Sequence, residues 1–153
     1  MKNKSMLGVS FLIVLLVIGF LIYVTINKGG ANLTDNNMDK IEGVEITVIT
    51  EGEGAVAVAG DTVSVNYTGG FEDGTTFDSN VDPKFNHVEP LSFTVGAGQV
   101  IKGWDAGVLG MKVGEKRNLV ISPEMAYGAA GYPPVIPENS TLYFEVELLA
   151  INQ

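Results

Sequence analysis

One stretch, Gln99 to Met111 ("QVIKGWDAGVLGM"), constrains the folded part of this chain more than any other. It holds the only tryptophan, Trp104, with Gly103, Gly107 and Gly110 close around it. Ile101, Trp104, Val108 and Met111 recur at three- and four-residue steps, the spacing of one helix face. Each glycine inside a helix costs roughly 1 kcal/mol against alanine, so helix propensity does not account for them. The segments around this patch alternate as strands do: "GVEITVITEGEG", "DTVSVNYTGGF", "LSFTV", "EKRNLVIS" and "STLYFEVELLAI". In the second of them Val63, Val65 and Tyr67 share one face and Thr62, Ser64 and Asn66 the other, and "FEDGTTF" carries an Asp-Gly turn. One helix of about two turns must therefore cover the apolar face of about five antiparallel strands. Gly103 and Gly107, one turn apart, are expected to let the helix backbone approach the sheet, with Trp104 pointing into the space that remains.

The apolar run from Leu7 to Ile26 does not fit such a domain. No charged residue lies between Ser5 and Asn27. At about 1.5 Å of rise per residue, some twenty residues span the roughly 30 Å hydrocarbon core of a bilayer. Lys2 and Lys4 precede the run, and a basic flank stays cytoplasmic. An uncleaved anchor is expected. The alternative is a cleaved signal peptide and a secreted chain. That reading wants an apolar region of about 7–15 residues ending in a small-x-small site. Here Tyr23 and Ile26 crowd the end, and the nearest small pair is Gly29 and Ala31. With no cysteine, lipid attachment through a thioether is excluded. The expected organisation is a membrane anchor over 1–28, a polar, turn-rich tether over 29–40 and a domain over 41–153 on the extracytoplasmic side. Gly8 and Gly19 are not at the four-residue spacing of a close helix pair, so a monomer is expected.

All 18 Asp and Glu follow Lys28, against Lys40, Lys84, Lys102, Lys112, Lys116 and Arg117. So acidic a surface repels phosphate backbones, which argues against a nucleic-acid partner. One histidine, His87, and no cysteine leave no cluster at metal-ligand spacing, and no metal or cofactor is expected. His87, between Asn86 and Val88, reads as a plain loop residue. Tyr67, Phe77, Phe93, Tyr127, Tyr132 and Phe144 could converge. Any one of them alone reads as core. Tyr127, however, sits in the glycine-rich "AYGAAG", where a large side chain has no sheet to pack on. Asp78, next to Phe77, would need a partner such as a tyrosine hydroxyl. An apolar cleft with a few placed polar groups is the usual form of a small-ligand site.

The segments "VNYTGGFEDGTTFDSN", "FTVGAGQVIKGWDAGVLGMKVGEKRNLVISPEMAYGAAG" and "STLYFEVELL" stand in the order and at close to the spacing of a known family. From about Gly43 to Ile151 the chain resembles the FKBP-type peptidyl-prolyl isomerases. The resemblance implies an α+β fold, a five- to six-stranded antiparallel sheet curled around one short helix. It also implies an aromatic cleft that binds a prolyl residue of a polypeptide and the macrolides FK506 and rapamycin. Carried over by position, the catalytic groups fall on Tyr67, Asp78 and Tyr127. The substrate-binding surface falls on Phe77, Val100, Ile101, Trp104, Ile136 and Phe144, with Leu91 and Tyr132 at the rim. Trp104 would floor the cleft beneath the proline ring. The Ile101 N–H and the Tyr127 hydroxyl would each hold a substrate carbonyl, and Asp78, bonded to Tyr67, would shape one wall.

The chain departs from the family at the rim. Leu91 stands where a phenylalanine is frequent, and Tyr132 where well-known members have a histidine. The stretch from Asn80 to Glu89 is longer than in the smallest members, so the arginine that often partners the aspartate has no clear equivalent; Lys84 is the candidate stand-in.

The implied chemistry needs no nucleophile. Rotation about a peptide bond meets a barrier of about 18–20 kcal/mol because resonance stiffens C–N, and X–Pro bonds exchange over tens to hundreds of seconds. The planar amide separates charge and is favoured by water; the twisted amide is less polar. An apolar cleft favours the twisted form, so catalysis is differential binding of the transition state. The expected function is isomerisation of X–Pro bonds in exported proteins, with a non-enzymatic, membrane-tethered proline-peptide binding module as the alternative.

Overall fold

The computed structural model describes residues 41–152. The expected anchor and tether lie outside them, and among the described residues no helix is long and apolar enough to cross a membrane. The alternating segments form six strands: β1 (Val44–Thr50), β2 (Thr62–Gly70), β3 (Thr76–Ser79), β4 (Leu91–Thr94), β5 (Lys116–Ile121) and β6 (Leu142–Asn152). The one α-helix among the described residues, α1 (Lys102–Val108), lies between β4 and β5. The antiparallel sheet runs β1-β5-β6-β2-β3, and β4 also pairs with β2. This agrees with the expected curled sheet and short helix. β2 pairs with β6 along its whole length. On its other edge β4 takes Thr62 to Val65 and β3 takes Thr68 to Gly70. The segment between β3 and β4 therefore arches over a break in that edge, next to the end of β3.

The period-two pattern sends one face of β2, β5 and β6 into the core. Val63 and Val65 of β2, Leu119 and Ile121 of β5, and Leu142, Val146 and Leu148 of β6 are fully buried. Trp104 and Val108 of α1 and Met111 just beyond it close that face.

The glycines divide into two kinds. Gly103 and Gly107 pack against alternate residues of β5: a Cβ at Gly107 would stand 2.7 Å from Leu119 Cδ1, and one at Gly103 would collide with Ile121. Their missing side chains set how near the helix can come to the sheet. Gly110 has open space around it but a φ of +77°, a left-handed turn that ends the helical run. Arg117 completes the helix terminus from β5. Its Nη1 donates to the carbonyls of Gly107 (2.9 Å) and Leu109 (3.2 Å), and its Nε donates to the buried carboxylate of Glu115. A cation at this end satisfies orphan carbonyls and opposes the negative end of the helix dipole.

Candidate functional site

Four elements deliver the aromatic residues to one end of the core. Tyr67 comes from β2, Phe77 from β3, Trp104 from α1 and Phe144 from β6. Trp104 is the hub. Its ring centroid lies 5.2 Å from Tyr67 and 5.3 Å from Phe144, both edge-on, and 5.8 Å from Phe93. Phe77 meets Phe144 at 5.7 Å, again edge-on. Edge-to-face contacts of this kind are the favoured arrangement of aromatic quadrupoles. Exposure rises in one direction. Trp104 and Ile136 are 4% exposed and Phe144 7%, while Tyr67, Phe77, Val100 and Ile101 are half-buried against them. Tyr127 at 38% and Tyr132 at 61% stand at the rim, ring centroids 5.5 Å apart. The result is a hollow with an apolar floor and a wetter edge. Leu91, at the outer end of β4, is exposed and lies outside the packed aromatic cluster.

Two local devices hold the hollow's other walls. The Asp105 carboxylate accepts from the backbone N–H groups of Gly96 and Gly98, each at 2.9 Å, and Gln99 Oε1 accepts from Thr94 N–H at 2.8 Å. These bonds shape the turn that brings Val100 and Ile101 to the start of α1. Ile101 caps the helix with extended backbone, and its carbonyl accepts from Trp104 N–H at 2.9 Å. Its own N–H has no acceptor among the described residues. On the loop after β5, Tyr132 and Ile136 exchange both backbone hydrogen bonds, at 2.8 and 2.9 Å, and so seat Ile136 against the floor.

The polar groups gather around Asp78. The Tyr67 hydroxyl donates to its Oδ2 at 2.7 Å, and Ser79 N–H donates to its Oδ1 at 2.9 Å. Burial, and then the bond to Asp78, push the Tyr67 phenol well above the usual tyrosine range. Burial also raises the Tyr127 phenol, with Tyr132 and Asp78 adding to the effect, so the Tyr127 hydroxyl lies in the field of that carboxylate. It has no hydrogen-bond partner among the described residues, and neither does the buried Trp104 Nε1.

Two expectations about the Asn80–Glu89 stretch are corrected. Lys84 does not reach Asp78. Its ammonium pairs with Asp82 at 3.0 Å and lies 4.9 Å over the Phe85 ring, because Asp82 caps a short 3-10 turn over Pro83–Phe85 that keeps Lys84 beside it. Nor is His87 a plain loop residue: its Nε2 stands 2.8 Å from Asp78 Oδ1. Helical or strand periodicity carries no sign of this contact. The one signal in the sequence was a basic ring at the far end of a lengthened loop beside a carboxylate known to need a partner.

A small curled sheet wrapped on one helix thus presents an aromatic hollow, one tied carboxylate and three hydrogen-bond donors without partners among the described residues: the Ile101 N–H, the Tyr127 hydroxyl and Trp104 Nε1. Residues 54–149 match the family model described as FKBP-type peptidyl-prolyl cis-trans isomerase. Among similar proteins, FK506-binding protein 1A of Emericella nidulans is 53% identical over 113 residues, covering 72% of this chain and 99% of the relative. A Drosophila melanogaster peptidyl-prolyl cis-trans isomerase is 47% identical over 110 residues, 71% of this chain and 98% of that one. FK506-binding protein 2 of Yarrowia lipolytica is 43% identical over 141 residues, 92% of each chain. The chain belongs to the FKBP-type peptidyl-prolyl cis-trans isomerases, and it is an enzyme of that activity.

Proposed function

We propose that the hollow over Trp104 is the isomerase cleft. The prolyl ring lies on the indole, between Tyr67, Phe77, Ile136 and Phe144, with Val100 and Ile101 at one side. The Ile101 N–H and the Tyr127 hydroxyl each donate to a carbonyl of the substrate backbone and fix its path through the cleft. The X–Pro amide then sits between the Asp78 wall and the apolar rings. It loses the water that favours its planar, charge-separated form, and the twisted form gains relative to it. Tyr67 holds Asp78 in place. One observation carries this reading: the Ile101 N–H and the Tyr127 hydroxyl, without partners among the described residues, border an aromatic floor that is buried beneath a half-exposed rim. The test is a protease-coupled isomerisation assay on the full-length chain in detergent, with Leu-Pro peptides and FK506 as competitor. Loss of turnover in Tyr127→Phe and competitive inhibition by FK506 are expected. Full activity of that variant together with no effect of the macrolide would remove the assignment.

We further propose that the chain works on exported proline-containing polypeptides, held by its anchor at the extracytoplasmic face. Support comes from the uncharged run Leu7–Ile26 behind Lys2 and Lys4. The Yarrowia lipolytica relative also aligns over 92% of this chain, so its match reaches into the segment before Ile41. A reporter fused after Gln153 should be active outside the cytoplasm, with the chain in the membrane fraction. A soluble product beginning near Ala31 would replace the anchor with a cleaved signal peptide.

A further inference from the structure

The Asp78 carboxylate has no idle oxygen. Oδ2 takes the Tyr67 hydroxyl, and Oδ1 takes Ser79 N–H and stands 2.8 Å from His87 Nε2; a carboxylate only accepts, so this bond requires the tautomer with its hydrogen on Nε2. The loop that supplies His87 is built, not merely long. Ser79 and Asn80 are buried at its root. Ser79 Oγ accepts from Val81 and Asp82 N–H, each at 3.2 Å. Asn80 Nδ2 donates to the carbonyls of Val65 (3.0 Å) and Glu89 (3.1 Å), which ties the two ends of the loop together and to β2. Asn80 Oδ1 accepts from Tyr67 N–H at 2.7 Å, so the same side chain braces the strand that carries the Asp78 partner. Asp82 caps the turn, and Asn86, at a φ of +61°, bends the chain back so that the next residue faces β3.

We propose that His87 is the positioning residue for Asp78, and that its protonation switches the cleft wall from anionic to neutral, admitting acidic residues before proline. This rests on the cleft assignment above. With the imidazole neutral, Asp78 presents a full negative charge beside the bound X–Pro amide and repels a Glu or Asp side chain there. With the imidazole charged, the wall is an ion pair and that repulsion is largely offset. The other titratable and charged groups around the pair are Tyr67, Tyr127, Asp82, Lys84 and Glu89. Tyr67 from β2 and Tyr127 from the loop after β5 are both held above the usual phenol range. On the loop itself the charges of Asp82 and Lys84 are paired at 3.0 Å, and Glu89 is exposed to solvent. His87 is the only histidine in the chain, so no other imidazole contributes.

The test is the ratio of kcat/KM for a Glu-Pro peptide to that for a Leu-Pro peptide. It is measured with the full-length chain in detergent between about pH 5.5 and pH 8, where the substrate carboxylate stays ionised and imidazoles as a class change charge. The ratio cancels the folded fraction of each sample. Wild type should show it rising about two- to fivefold as pH falls, the size expected for a half-exposed pair screened by solvent. His87→Gln keeps a donor near the Nε2 position but never titrates, and should hold the low ratio at every pH. His87→Arg, always charged, should hold the high one. A flat ratio in wild type, or a pH response in His87→Gln equal to that of wild type, overturns the proposal. Asp78→Val separates the two levels of the argument. Its ratio should be independent of pH and its Leu-Pro turnover should fall; Leu-Pro turnover equal to wild type would overturn the cleft assignment itself, and this inference with it.

Discussion

The Tyr67 hydroxyl and the Asp78 carboxylate, 2.7 Å apart on neighbouring strands, join the floor of the hollow to its polar wall. The bond has a consequence for alkaline stability. The Tyr67 phenol is held above its ordinary value, first by burial and then by Asp78. A group whose folded value is raised contributes stability in full below its unfolded value, about 10 for tyrosine, and loses it as pH rises through the folded value. Stability should therefore fall as pH climbs past about 10, and Tyr67→Phe should flatten that fall. Near neutral pH the same variant should cost about 0.5–1.5 kcal/mol, one ordinary hydrogen bond, and should slow isomerisation by freeing Asp78. Denaturant midpoints from about pH 8 to about pH 11 check the slope.

Tyr127 and Trp104 should separate activity from stability. Tyr127 stands on a glycine-rich loop, half-exposed, with no hydrogen-bond partner for its hydroxyl among the described residues. Tyr127→Phe should shift stability by less than about 1 kcal/mol while lowering turnover. Trp104 is 4% exposed and touches Tyr67, Phe93 and Phe144. Trp104→Ala should cost about 3–5 kcal/mol and damage both properties. Isomerisation rate and unfolding midpoint, measured on the same samples, give the comparison; activity that merely tracked the folded fraction in both variants would count against the cleft.

Gly107→Ala reverses the usual expectation for a helix. Alanine gains roughly 1 kcal/mol of helix propensity over glycine, yet its Cβ would stand 2.7 Å from Leu119 Cδ1. Overpacking of this kind costs about 1–3 kcal/mol, so the variant should be destabilised or, at most, neutral. A clear gain in urea midpoint would show that the helix can lift from β5 without loss.

Arg117→Met should be the most damaging change away from the cleft. It removes the cap on Gly107 and Leu109 and leaves the Glu115 carboxylate, 3% exposed as a residue, without its cation. Breaking one side of a buried pair costs about 3–5 kcal/mol. Adding Glu115→Gln should recover part of that loss, and a double-mutant cycle in urea measures how much.

Much of this molecule was legible without coordinates because its signals are local. Alternation in "DTVSVNYTGGF" and "STLYFEVELLAI" located β2 and β6, and period two alone put Val63, Val65 and Tyr67 on one face. The crowding of Gly103 and Gly107 around Trp104 announced a helix pressed onto a sheet, since only a missing Cβ accounts for glycine at helical spacing beside a core tryptophan. The Arg117 cap was not visible, because it spans ten residues and depends on where β5 lies beneath the helix end.

The loop between β3 and β4 marks the boundary most clearly. Its sequence specified the ingredients: an asparagine, a proline turn, a lysine, a histidine and a lengthened path. Which base would meet Asp78 was decided by side chain to backbone bonds from Ser79, Asn80 and Asp82 and by one left-handed residue, Asn86. None of these repeats with a period, and each acts by fixing a backbone direction whose effect appears only where the chain returns to the sheet. Lys84, nearer in sequence to Asp78, was turned away toward Asp82, and His87, nine residues on from Asp78, was turned in. Periodicity and composition determined which residues face inward; three-dimensional closure of the loop determined which charge the cleft wall carries.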